Sequence, residues 1–272
     1  MLVNYCTLAI AMKKMIATSL LLVLLCNPAG LQGQNLVVNP GFDEFTINFG
    51  PNPGDMVCIC NDWYSPANGS PDYFNSAYNG NVNWWSRQIP VNLFGHQVTW
   101  NGCAYWGWES YCKSISFQNS REYIQSRLSD TLQSGIEYCV SLYVSPADTV
   151  HYAINGIGVL FTDTAVSRYD SSLQYYLLPF TPQIQALNIV SDRENWTRIN
   201  GSFIADRGEQ YITIGNFQDD DHTDTLWLGS QSTEEPFSYY DVDAVCVYDC
   251  NIQVYPADGG GNKYIGCDIS YI

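Results

Sequence analysis

Positive charge is scarce in this sequence: 11 lysines and arginines face 27 aspartates and glutamates, a formal net charge of −16. A surface of that sign repels polyphosphates and anionic lipid, so nucleic acid is excluded as a partner. Histidine is scarcer still, with only His96, His151 and His222. A zinc site would need two regular close pairs, usually with histidine support, and the chain has a single C-x-C, at Cys58 and Cys60. There is no amphipathic helix of useful length, no repeat and no heptad. G-x-S-x-G, H-E-x-x-H, P-loop and G-x-G-x-x-G motifs are all missing. An enzyme is therefore unsupported. Glu109, Glu122 and Glu137 could serve a glycosidase only if two of them flanked a cleft, and nothing in the sequence pairs them.

Long apolar runs are also few. Lys13 and Lys14 precede residues 15–26, MIATSLLLVLLC, a run too short to span a bilayer comfortably and suited to a secretory signal. The reading is a leader over residues 1–33 with cleavage before Gln34, residues 1–11 being an over-extended start upstream of Met12. The remaining chain has no membrane span and is expected outside the cell or on the outer-membrane surface. Loss of the leader removes Lys13 and Lys14 but no acid, leaving 9 basic residues against 27 acidic ones and a net charge of −18. Eight cysteines remain: Cys58, Cys60, Cys103, Cys112, Cys139, Cys246, Cys250 and Cys267. In an exported chain an even number reads first as disulfides, with Cys103–Cys112 and Cys250–Cys267 the nearest local pairs.

What is present is β pattern. Residues 121–145 alternate in two arms around Ser134 and Gly135, which predicts a hairpin at the heart of the domain. Residues 196–205 and 210–217 predict a second hairpin turning at 206–208, and residues 239–248 a last strand. Six of the eight tryptophans fall within residues 63–111 amid Asn, Gly and Ser, which reads as long packed loops. DDDHTD at 219–224 reads as a solvated loop. Together these predict an all-β sandwich over residues 35–249, with a tail over 250–272.

Three stretches carry a resemblance: NLVVNPGFDE at 35–44, WTRINGSFIADRGEQYITIGNF at 196–217, and YDVDAVCVY at 240–248. Their order resembles the galactose-binding-like jelly roll shared by several carbohydrate-binding modules. With PDYFN at 71–75, REYI at 121–124 and IGNF at 214–217, it is more closely similar to the N-terminal domain of exported Bacteroidetes surface proteins of the OmpA-type or type IX-secreted kind. The resemblance implies a glycan-binding module without catalysis, its partner an environmental or cell-envelope polysaccharide. A structural or adhesive envelope module that binds protein is the alternative. It also implies a structural calcium tying the first strand to the last, at the positions of Asp43 and Asp243; Ala244 stands where a second acid is common. Calcium wants oxygen ligands and would offset carboxylates gathered where the chain ends meet.

Exposed aromatic rings stack on the apolar faces of sugars while polar neighbours satisfy the hydroxyls. Trp84, Trp85, Trp106 and Trp108 are the platform candidates, with Asp72, Asn75 and Arg87 as polar companions. The opposing reading is that the rings are the core of their own loops.

Overall fold

Runs rich in Val, Ile, Tyr and Trp become strands throughout, and no α-helix occurs among the described residues. The structure is a computed structural model describing residues 34–49, 56–78, 87–114, 117–169, 177–229 and 236–251. The leader-like segment and the tail from 252 onward lie outside the described residues, as do Trp84 and Trp85.

In chain order, β1 is Phe45–Phe49, β2 Met56–Cys60, β3 Trp63–Tyr64 and β4 Asp72–Asn75. A small hairpin of β5 (Val91–Asn92) and β6 (Gly95–His96) precedes β7 (Ala104–Cys112). Then come β8 (Tyr123–Arg127), β9 (Glu137–Pro146), β10 (Tyr152–Ile154), β11 (Ile157–Thr162) and β12 (Ile184–Gln185). The series closes with β13 (Thr197–Ile204), β14 (Tyr211–Asn216), β15 (Thr225–Trp227) and β16 (Phe237–Asp249). Two five-stranded antiparallel sheets make the sandwich, a front sheet ordered β13-β9-β16-β7-β4 and a back sheet ordered β12-β11-β14-β8-β3. The all-β, jelly-roll-like architecture expected from the sequence is present.

Both expected hairpins are corrected. β8 pairs with β14 and β3 in the back sheet, whereas β9 pairs with β16 and β13 in the front sheet. Likewise β13 belongs to the front sheet and β14 to the back. The turn chemistry at Gly135 and Gly208, both at positive φ, makes arches from one sheet to the other. Alternation shows that a strand has an inward face; it does not show which strand lies beside it. The segment read as long loops also holds β4 and the nine-residue β7. β7 is buried on both faces, so no alternation betrays it.

The core is filled from both sheets, by Trp108, Leu142, Val144, Tyr240 and Val242 in front and by Ile124, Ile157, Ile212 and Ile214 behind. Asn35 seats the N-terminal segment against β16, donating to the carbonyl of Val245 at 3.0 Å and accepting from the N–H of Val247 at 3.0 Å. Val37 bridges to Leu128 at the end of β8, so this segment stitches one sheet to the other.

The expected cysteine pairs are corrected as well. Cys139 is bonded to Cys250, tying β9 to the end of β16 and excluding Cys250–Cys267. Cys103 and Cys112 stand at opposite ends of β7, roughly 30 Å apart at strand rise, too far to bridge.

Candidate functional site

The outward face of the front sheet gathers a set of polar and aromatic groups. Register places Asp72 and Phe74 of β4, Tyr105 and Gly107 of β7, Tyr239 and Asp241 of β16, and Tyr143 and Ser145 of β9 on this face. One half of it is covered by the chain itself. The β5–β6 hairpin lays Phe94 flat on Tyr239, with ring centroids 3.8 Å apart, and ties down through Asn92 to the Tyr105 hydroxyl and Gln97 to Ser145, each at 2.7 Å. Gly107 is needed beneath, because a Cβ there would collide with the Tyr239 ring. Burial pushes the Asp241 carboxyl well above its ordinary range, and its Oδ1 has no hydrogen-bond partner among the described residues.

The other half, over β9 and β13, stays open and carries an aromatic ledge. Trp100 lies parallel to Tyr143, centroids 4.0 Å apart at 16°, and remains 44% exposed. Tyr143 stands opposite Arg198 of β13 on one side and Asp243 of β16 on the other. Arg198 Nε has no partner among the described residues. Trp196 borders the ledge, donating its indole N–H to the Val98 carbonyl at 3.0 Å. A ring with one face supported and the other wet is the arrangement that receives a sugar ring.

Behind the ledge the two calcium candidates are brought together around one turn. Asp43 follows Phe42, a core residue at φ 60° packed edge-on to Trp63, and accepts from the Cys103 N–H at 2.6 Å. Asp243 sits where the β16 register slips and accepts from the N–H of Asn101 at 3.0 Å and of Ala244 at 2.6 Å. Burial holds the Asp243 carboxyl well above its ordinary range, with Asp43 among the raising influences. Gly102, at φ 69°, makes room for the Asp43 carboxylate, since a Cβ there would run into it. Among the described residues no group of three or more His, Cys, Asp or Glu could hold a metal ion, so further oxygens would have to be carbonyls or water.

The other candidates stand differently. Trp106 and Trp108 are 8% and 0% exposed on the inner face of β7 and serve as core, so neither can be a platform; their spacing put both rings on the sandwich side of one strand. Asn75 is buried, donating to the Tyr73 hydroxyl at 2.7 Å and accepting from the Ala77 N–H, which is structural work. Asp72 and Arg87 are each other's partners at 2.8 Å, and Asp72 also accepts from Tyr239 at 3.0 Å, so neither is unspent. Nothing in the sequence groups Trp100, Tyr143 and Arg198, which come from a loop and two strands. Trp100 had one local signal, its place directly before the Asn101-Gly102 turn that sets it at a surface.

The structure does pair two of the carboxylates that a glycosidase would need. Glu122 Oε2 accepts from the Glu109 N–H at 2.8 Å and Oε1 from the Ser70 N–H at 2.7 Å, while the Glu109 side chain accepts from Ser120 at 2.6 Å. Glu122 is 5% exposed, so its contacts staple the Ser70 loop to β7 rather than face a cleft. Glu137, at the start of β9, accepts from the Ser202 hydroxyl at 2.6 Å.

No protein-family model matches the sequence, and no curated protein matches it. Among solved structures the fold is similar to the CBM22-1 xylan-binding domain of Paenibacillus barcinonensis Xyn10C, at 12% identity and TM-score 0.41, over 82% of this chain and 98% of that one. It is also similar to a CBM61 module in complex with β-1,4-galactotriose, at 12% identity and TM-score 0.32, over 79% and 99% of the two chains. A cleaved adhesin domain of Lys-gingipain from Porphyromonas gingivalis is similar at 14% identity and TM-score 0.34, over 79% and 96%.

Proposed function

We propose that this chain is an exported, non-catalytic carbohydrate-binding module that takes polysaccharide on the open half of the front sheet. The observation that carries the reading is the Trp100–Tyr143 ledge, an aromatic face presented to solvent beside Arg198. Replacing Trp100 by alanine is expected to weaken retention on polysaccharide in affinity electrophoresis about five- to thirtyfold, since one stacked ring contributes on the order of 1 to 2 kcal/mol. Thermal stability changes little, because the ring is nearly half exposed. Equal retention of the wild type and W100A would sink the proposal. A protein-binding adhesive module is the second reading, favoured by Trp227 and Leu226, which stand 53% and 46% exposed on β15.

The same reading includes a calcium ion at Asp43 and Asp243. The residues fit in kind: two carboxylates from opposite ends of the chain converge on a turn in which a glycine makes room for the Asp43 carboxylate. Bound calcium would supply a fixed cross-link between the segment after Phe42 and β16. Stripping it with EDTA then lowers the melting temperature by several degrees, as loss of a ligand held at about 100 times its Kd removes about 2.7 kcal/mol. An unchanged melting curve in EDTA, with D43N equally indifferent to added calcium, would dispose of the ion.

A further inference from the structure

A cavity lies on the side of the sandwich where the edge strands β12 and β13 approach, with none of the ledge residues in its lining. It is a cleft of about 740 Å³ bounded by the end of β11 and the 163–168 loop, residues 179–183, and the arch from β13 to β14. Its apolar wall is unusual for a surface. Ile204 is 67% exposed and Phe180 41%, and Phe203 is stacked on Phe161 with centroids 4.5 Å apart. Glu209, 1% exposed, is part of its lining. Glu209 Oε1 accepts from the Asp206 N–H at 3.3 Å, whereas Oε2 has no hydrogen-bond partner among the described residues.

A buried carboxylate oxygen left without a donor costs free energy, and a donor arriving in the cleft would recover it. The mouth carries both signs, with Arg168 and Arg207 beside Asp163 and Asp206, so it offers no net field to a free ion. Apolar faces for C–H surfaces together with one buried acceptor for a hydroxyl describe a neutral sugar. The volume accommodates a short oligosaccharide better than a single methylated or aliphatic group.

We infer that this cleft is a second saccharide site, which receives the end of a neutral oligosaccharide with a hydroxyl donating to Glu209 Oε2 and a ring face against Phe180 and Ile204. It rests on the carbohydrate reading for the class of ligand but uses none of the residues of the Trp100 ledge.

The test is two-dimensional NMR of the full folded chain titrated with xylotriose, cellotriose, β-1,4-galactotriose and chitotriose. At least one is expected to shift amides within 163–168, 180–183 and 203–209. Phe180→Ala, at the rim, and Glu209→Gln, which places a donor where the acceptor is needed, should each weaken that titration at least tenfold, while W100A leaves it unchanged. Because Glu209 is buried, F180A guards against a variant that merely misfolds. Absence of shifts in this cleft with all four sugars, or shifts that F180A leaves intact, would overturn the inference. If W100A abolishes retention on polysaccharide while the cleft stays silent, the ledge stands and the cleft falls. The reverse pattern leaves the cleft standing without the ledge.

Discussion

Replacing Arg121 by alanine should cost the fold about 3 to 5 kcal/mol, the scale for removing one partner from a buried ion pair. The side chain has no exposed surface and spends its donors in several directions. Nη1 reaches the Ser120 carbonyl at 2.7 Å and the Asp220 carboxylate at 3.0 Å, while Nη2 and Nε both reach the Gln218 carbonyl, at 2.8 and 3.2 Å. Nη2 also meets Thr223 at 3.3 Å, and the guanidinium lies 5.6 Å from the Tyr111 ring centre. The acidic loop at 219–224 is thus solvated on one side and anchored on the other. Removing the guanidinium strands the Gln218 carbonyl and a partly buried Asp220 charge together. For a domain of this size the loss corresponds to a fall of roughly 10 °C in melting temperature. Lysine should restore only part, since a single ammonium cannot span the same fork of acceptors. Calorimetry of R121A and R121K, with hydrogen exchange of amides 217–224, measures both effects. A melting temperature within a degree or two of wild type in R121A would contradict them.

A second large effect is a stability that declines as pH rises. Burial pushes the Glu122 carboxyl from its ordinary 4.5 up to about 7, with Glu109 and Asp72 also raising it and the two N–H donors opposing. The groups facing it are Glu109 on β7, Asp72 on β4 with its partner Arg87, and Tyr239 on β16. Between pH 4.5 and 7 the unfolded chain has released this proton and the folded chain has kept it. The unfolded state therefore binds fewer protons, and the stability present at acid pH is progressively lost toward neutrality, by about 3 kcal/mol from this group. Melting temperature should fall between pH 5 and 8. Glu122→Gln should lower stability at pH 5, because the amide turns a donor toward one of the two N–H groups, and should flatten the slope. Identical pH slopes in the two proteins would refute the assignment to Glu122.

The fold class was legible because β13, β14 and β16 are rich in β-branched and aromatic residues between clear turn signals. The pairing was not, because Ser134-Gly135 and Asp206-Arg207-Gly208 have the chemistry of a hairpin turn and are used as arches between sheets. Composition drew attention to the tryptophan-rich stretch but could not separate Trp106 and Trp108, turned inward by β7, from Trp100, turned outward by a glycine-containing turn. Asp43 and Asp243, 200 residues apart in sequence, were matched through a resemblance rather than through any local pattern. The pairing of Glu109 with Glu122 needed the arrangement of β7 beside the start of β8, and Glu209 needed the cleft it lines.

β16 is the last described strand in sequence and the middle one of its sheet, with β9 on one side and β7 on the other. Until it is available, β7 and β9 have no shared neighbour, Asn35 has nothing to clasp and the Cys139–Cys250 bond cannot close. The front half of the sandwich therefore cannot be built up strand by strand as the chain emerges. Its completion waits for contacts more than 200 residues apart in sequence, a topology that makes folding slow.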